Sequence, residues 1–504
     1  MAFIFRGKTY QETIENLIPL LLPLAFIISA LILMPIEAFQ FDPDEGLRIS
    51  QMILYKNGYL LYSDIPSDQP PLFTVLLSLW SQFCDLFLGR DHNHEVIVAR
   101  CFVLFFATVL IWTFFKITCI TTTKRVAVIS TVLLIFSCNF IRLSFSAMIG
   151  IPCLTFALLS IYCLIQFRYN SLALSSWQFF SSPFFSGILL GLSLLTKMFT
   201  LFLVPLMSVF WVIFNPKVKL KNIFLPLFFF LLGIATVVLL SNNFLISSSE
   251  IRYFFQFHVS TDLKSQFSGE SSLLTVISFY LQDFDYFILC LWGISSISFR
   301  KDLWVFIPLS WLSVVTILLI NHKPVWYHHY LLISIPLCWL AALGVEQLSK
   351  NITLYQLKSF QPLKLFSLSN LTIAFICLAF GIKMYFFMQN NAEIVSKSKE
   401  AAPILERIVK YQKNTQWLFT DMPMYGVRSN INVPPELSVI SRKSLASGKI
   451  TQASLIQTIE KYHPEQFVIA RFSKLYTYIQ DYLDKNYKKY SYKNATYLIR
   501  KDIL

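Results

Sequence analysis

Long uncharged runs of Phe, Leu and Ile alternate with short basic stretches along most of the chain. A run of roughly 20 apolar residues is what it takes to cross the hydrocarbon core of a bilayer, whereas a soluble core helix is shorter and keeps a polar face. On that rule the pattern predicts about eleven spans, at 17–39, 97–119, 125–141, 145–166, 183–199, 200–215, 222–241, 274–297, 302–320, 327–346 and 365–388. The first run is longer than the core of a signal peptide and no small-residue cleavage site follows it, so it is expected to stay as a span.

Two stretches interrupt the apolar pattern. Residues 40–96 form a long first outer loop, in which 46–55 and 71–88 carry apolar residues at helical spacing with polar faces between. Both are predicted to be helices lying along the membrane surface. Asn57-Gly58 and Ser67-Asp68-Gln69-Pro70-Pro71 supply turns between them. A second outer loop, 242–272, is polar and aromatic, with Arg252, His258, Asp262 and Lys264. After Phe387 the chain turns polar, which divides it into a membrane module, 1–389, and a C-terminal unit, 390–504. Helices at 401–411, 453–462 and 474–486 alternate with strands at 417–420, 466–470 and 490–499. The fold class is therefore a polytopic α-helical membrane protein carrying a small α/β domain.

Composition strengthens this picture. Hydrophobic residues make up 55% of the 504 and charged ones 14%, with a mean hydropathy of +0.58. A soluble chain needs roughly a quarter of its residues charged to cover its surface. The net charge of +14 does not indicate nucleic acid, because the basic residues collect between apolar runs. One set of alternate loops holds Arg6, Lys8, Lys116, Lys124, Arg125, Arg168, Lys217, Lys219, Lys221, Arg300, Lys301, Lys350, Lys358 and Lys364, and is expected to be cytoplasmic. The acidic 40–96 loop then lies outside, and an odd span count puts the C-terminal domain outside too, at a plasma membrane. None of the nine Cys falls after Phe386, and no CxxC spacing occurs, so they read as small buried hydrophobes.

Chemistry concentrates where the first span ends. Phe41-Asp42-Pro43-Asp44-Glu45-Gly46 places three carboxylates within four residues at a membrane edge. Such charges repel one another and are costly to desolvate. Asp42 is suited to cap the following helix; Asp44 and Glu45 are candidates for general-base chemistry on an acceptor hydroxyl. Cations recur at outer span ends: Arg100, Arg142, Lys197 and Lys323, with His322, His328 and His329. Each suits a snorkelling anchor, and several together suit a lipid phosphate. The histidines lack HExxH spacing, which argues against a zinc site.

The order of the acidic loop, Asp68-Gln69-Pro70-Pro71-Leu72, Gly191…Thr196-Lys197 and His329-Tyr330-Leu331-Leu332…Pro336 resembles the GT-C glycosyltransferases. The closest branch holds the protein O-mannosyltransferases and the lipid A aminoarabinose transferases. The resemblance implies many spans, a first outer loop with two surface helices, a polyprenyl-phosphate sugar donor and an unidentified lipid, glycan or protein acceptor. It further implies catalytic carboxylates at Asp44 and Glu45, and donor-site residues at Thr196, Lys197, His329 and Tyr330; Arg100 and Lys323, as cations at outer span ends, are expected to join Lys197 and His329 on the leaving lipid phosphate. Gln69 stands where that family often has a Lys on the donor phosphate. Thr420-Asp421-Met422-Pro423 and Val433-Pro434-Pro435 resemble tails of uncharacterised bacterial members. No metal is firmly implied, a divalent cation remaining compatible with the site.

Two alternatives belong to other classes. A transporter or flippase for a lipid-linked or anionic solute would show inverted repeats and charges at mid-membrane, and no repeat is visible. A scaffold that has lost activity is compatible with Gln69 in the usual Lys position.

Overall fold

In the computed structural model, residues 10–89, 94–170, 176–213, 220–244, 267, 269–297, 303–358, 368–446, 448 and 450–504 are described. Arg6, Lys8, Arg90, Asp91, Lys217, Lys219, Arg300, Lys301 and Lys364, and most of the stretch expected as a second outer loop, lie outside them.

Helices occupy, in whole or in part, each stretch expected to span. They are α1 (Tyr10–Leu33), α4 (Glu95–Thr121), α5 (Lys124–Ile135), α6 (Cys138–Phe145), α7 (Gly150–Asn170), α8 (Ser176–Thr196), α9 (Leu203–Ile213), α10 (Leu220–Phe244), α11 (Ser272–Gln282), α12 (Phe284–Ile297), α13 (Phe306–Asn321), α14 (Leu331–Lys358) and α15 (Leu368–Lys410). Among the described residues, four helices are long and apolar enough to cross a membrane, or up to six if each bent pair is one span. One bent pair is α5 with α6, turned by 66°; the other is α11 with α12, turned by 90°. Arg142 itself lies within α6, and the breaks fall on either side of it, at Phe136 and Ser137, where Ser137 caps α6, and at 146–149 before α7. The single span expected at 274–297 is broken at Asp283. Exposed Leu20, Leu24, Ile28 and Ile32 on α1, and Leu231 and Leu239 on α10, give these helices apolar outer faces, as lipid contact requires.

Glycine brings helices together at two places. A Cβ on Gly233 of α10 would meet the Phe184 carbonyl oxygen of α8 at 2.2 Å, and one on Gly344 of α14 would meet that of Leu289 in α12 at 2.1 Å. In a bilayer, where apolar burial gives no drive to associate, such backbone approach supplies the packing.

The first outer loop folds as α2 (Pro43–Lys56) and α3 (Leu72–Leu88). Only α3 has the expected surface character, with Leu79, Phe83, Leu86 and Phe87 exposed. Helix α2 lacks the exposed face expected of it: every residue from Glu45 to Leu54 is buried. It is covered because the C-terminal domain sits on it, so closely that a Cβ on Gly46 would meet the Met424 backbone nitrogen at 2.6 Å. Lys56, at the end of α2, ties it to Asp85 of α3 and Glu95 of α4, each at 2.7 Å.

The C-terminal α/β unit has β1 (Leu418–Thr420), α16 (Met424–Ser429), α17 (Arg442–Ala446), α18 (Gln452–Tyr462), β2 (Gln466–Ile469), α19 (Ser473–Asn486), β3 (Tyr487–Tyr492) and β4 (Ala495–Arg500). The sheet order is β1-β2-β4-β3, with β1 parallel to β2 and the other pairs antiparallel. The single strand expected at 490–499 is a hairpin, turning at Lys493-Asn494. The expected boundary at 389/390 falls inside α15, which runs unbroken from the membrane module into the domain, and so carries the domain on a helical stalk.

Candidate active site

The turn between α1 and α2 is built by its own acids and then pinned from outside. Asp42 is the N-cap of α2, its Oδ1 accepting the Asp44 N–H at 2.8 Å, as an Asp before a helix should. Burial, and after it the neighbouring charge of Asp44, push Asp42 up to about 6. Glu45 turns inward and is fully buried. Its oxygens accept from Arg100 Nε and Nη2 at 2.9 and 3.0 Å, and from the N–H groups of Phe41 and Ala147 at 2.9 and 3.1 Å. Arg100 also donates to the carbonyls of Ile36 and Ala38, at 2.6 and 3.1 Å. From the C-terminal side, Arg428 donates to Ala38 O at 2.7 Å, and Ser398 Oγ accepts the Phe39 N–H at 2.9 Å.

This network separates the two candidate catalytic acids. Asp44 has a half-open side chain, 30% exposed, whose ion-pair partner is Arg471 Nη1 at 3.5 Å. Both Glu45 oxygens are engaged by these four hydrogen bonds. Arg100, expected on the donor phosphate, is only 1% exposed and committed to Glu45 and two carbonyls, which takes it out of that role.

Other expected residues do converge. Lys197 caps the short helical turn Met198–Phe202, is buried, and holds its ammonium 3.8 Å over the Phe199 ring. It lies within electrostatic range of Arg48, Asp68 and Asp44. Arg48 and Asp68 pair at 3.1 Å, so α2 and the Asp68-Gln69 turn face the same space. Gln69 is half-buried, its carbonyl accepting from the hydroxyls of Tyr62 and Ser67. Phe199 meets His329 edge-on at 4.4 Å, and His329 stands 5.5 Å from His322. Lys323 follows His322, half-buried, at the end of α13. Beside Phe199 and His322 opens a cavity of about 810 Å³, lined otherwise by aliphatic residues of α9 and α13 such as Val204, Pro205, Val314 and Leu318.

Tyr330 does not join this group. Its hydroxyl donates to Asp283, which also accepts from Ser137 at 3.0 Å. Lys383 of α15 pairs with Asp283 and Asp285 at 3.0 and 2.8 Å. Sequence reading passed over this buried cluster, although three ionisable residues inside apolar helices were the available signal. It also passed over Arg471 and Arg428, whose approach depends on how the C-terminal domain docks.

Among the described residues no three His, Cys, Asp or Glu side chains gather as a metal site. Of the acidic trio, Glu45 is occupied by Arg100 and Asp42 by its cap.

The chain is similar to known proteins over part of its sequence and in its fold. The model of the dolichyl-phosphate-mannose-protein mannosyltransferase family matches residues 68–241. ArnT from Cupriavidus metallidurans, solved bound to undecaprenyl phosphate, superimposes with a TM-score of 0.65 at 10% identity, over 95% of this chain and 97% of that one. The oligosaccharyltransferase AglB from Archaeoglobus fulgidus, in complex with an inhibitory peptide and a dolichol-phosphate, gives 0.59 at 13% identity, over 98% and 75%. The Archaeoglobus fulgidus oligosaccharyltransferase complex with Zn and sulfate gives 0.57 at 14%, over 94% and 73%. No curated protein matches the chain. The chain has the fold of these membrane glycosyltransferases, and its residues 68–241 match the mannosyltransferase family model.

Proposed function

We propose that the chain transfers a sugar from a polyprenyl-phosphate donor to an acceptor hydroxyl at the outer face of the plasma membrane, with inversion at the anomeric carbon. The observation that carries this reading is a single juxtaposition. A buried lysine ammonium stacks on Phe199, which lines an apolar cavity, and lies within electrostatic range of a half-open aspartate. The cavity suits a prenyl tail and Lys197 its phosphate, with His329 edge-on to Phe199 and Lys323 next in sequence to His322, which also lines the cavity. Asp44 takes the proton of the acceptor hydroxyl as that oxygen bonds to the anomeric carbon. The bond from that carbon to the phosphate oxygen breaks, and its electron pair leaves on the polyprenyl phosphate, whose growing charge Lys197 offsets. Glu45 and Arg100 hold the turn that aims Asp44. The N-terminus is cytoplasmic and the C-terminal domain extracytoplasmic in this reading, with the basic loops inside.

The test uses the full chain in lipid nanodiscs with lipid-linked sugars extracted from host membranes. Wild type should release polyprenyl phosphate in the presence of host envelope acceptors, and Asp44→Asn should lose at least roughly a hundredfold in rate, the span of a general base. Lys197→Gln should weaken donor binding. Wild-type turnover by Asp44→Asn sinks the mechanism.

A further inference from the structure

Arg471 is the charged group of the site that no part of the donor reading uses. It lies just past β2, in a turn that the domain holds by a buried carboxylate. Asp421, at the end of β1, is fully buried and accepts the backbone N–H groups of Ala470, Arg471 and Phe472 at 2.8, 2.9 and 2.6 Å. Such charge-assisted bonds fix the turn without touching the Arg471 side chain. That side chain reaches out of its domain to Asp44, at 3.5 Å, and packs over the Phe472 ring at 5.0 Å. Its Nη1 is buried and meets Asp44 Oδ1 at 3.5 Å as an ion pair without a hydrogen bond. The contrast with Arg100 is sharp, since that guanidinium makes four hydrogen bonds within the protein. A charged donor held by one long ion pair keeps hydrogen-bonding capacity that a ligand oxygen can satisfy.

We propose that Arg471 grips an anionic group of the acceptor, a phosphate or carboxylate next to the hydroxyl that attacks. The inference rests on the reading of Asp44 as base and Lys197 as the donor-phosphate group. Inversion puts the attacking hydroxyl and the departing phosphate on opposite sides of the sugar carbon. Asp44 faces the first and Lys197 the second. The cavity for the tail is lined by the Met198–Phe202 turn and helices α9, α13 and α14, with nothing from the C-terminal domain. A guanidinium that arrives from that domain onto Asp44 therefore meets the acceptor. Its planar fork matches two oxygens of a phosphate or carboxylate. Drawing Arg471 away from Asp44 also leaves that carboxylate open to the incoming hydroxyl proton.

The experiment titrates the full chain in nanodiscs with glycerol 3-phosphate, which carries a hydroxyl near a phosphate, and separately with undecaprenyl phosphate. Wild type should bind both saturably. Arg471→Gln should weaken glycerol 3-phosphate at least tenfold and leave undecaprenyl phosphate within twofold, with Arg471→Lys in between; Lys197→Gln should do the reverse. Unchanged thermal unfolding of Arg471→Gln shows that folding is not the cause. If that variant does not fold, Asp421→Asn, which loosens the turn only, is expected to weaken glycerol 3-phosphate selectively. Equal loss of both probes in Arg471→Gln makes it a donor residue and overturns the proposal. Absence of glycerol 3-phosphate binding to wild type also overturns it, while undecaprenyl phosphate binding that depends on Lys197 leaves the donor reading standing. Undecaprenyl phosphate binding indifferent to Lys197→Gln sinks the donor reading instead.

Discussion

Replacing Arg100 by Met separates a structural latch from a substrate ligand. The side chains of Arg100 and Glu45 are 1% and 0% exposed and share two charge-assisted bonds, while the other Arg100 contacts hold the carbonyls of Ile36 and Ala38. Met keeps most of the volume and removes all four donors. Glu45 is then left buried with only the N–H groups of Phe41 and Ala147. Breaking a buried pair from one side costs about 3–5 kcal/mol, because the remaining charge has no compensation. Removing the second charge as well should recover much of that. Arg100→Met is thus expected to lower the free energy of unfolding in mixed micelles by about 3–5 kcal/mol. Glu45→Gln with Arg100→Met should be less destabilised than the sum of the single variants, with a coupling of roughly 1–3 kcal/mol. Wild-type stability in Arg100→Met, together with a raised KM for the donor, would refute the latch and return Arg100 to the phosphate.

Three further outcomes follow from the same geometry. Lys383→Met strands Asp283 and Asp285 inside the helix bundle and should cost about 3–5 kcal/mol in the same unfolding measurement; an unchanged value contradicts a paired cluster. Gly46→Ala drives a methyl into the Met424 backbone, so the contact between α2 and the C-terminal domain should open, at a cost of about 1–3 kcal/mol. Limited proteolysis should then cut faster between 411 and 423, and an unaltered digest denies the close approach. Asp42 is raised from 3.8 to about 6. The fold favours its neutral form, so this contribution to stability is complete below pH about 4 and is lost as pH rises to about 6. Asp42→Asn keeps the oxygen that caps α2 and should not lose stability over that window, and parallel curves for variant and wild type would count against the burial of Asp42.

The membrane helices were legible because lipid imposes one rule on every span: about 20 apolar residues with charge at the ends. The breaks were not. Asp283 and Ser137 look like isolated polar residues within apolar runs, and only the fold shows that they share a centre with Tyr330 and Lys383. The acidic turn was visible as a cluster, yet sequence could not divide its acids. Asp44 and Glu45 are neighbours on a helix, and helical rotation of about 100° sends one to the opening and the other to Arg100. Lys197 and His329 were read together from a family pattern, and Phe199 between them is what makes them one rim. Arg471 lies more than 400 positions from Asp44, and nothing local marks it.

The most direct measurement is a structure of the full chain determined with undecaprenyl phosphate in nanodiscs. The phosphate should sit on Lys197 with its first isoprene units in the cavity between α9 and α13, leaving room for a sugar before Asp44. A headgroup bound away from Lys197, with Asp44 walled off from it or opening to the cytoplasmic side, contradicts transfer at this site.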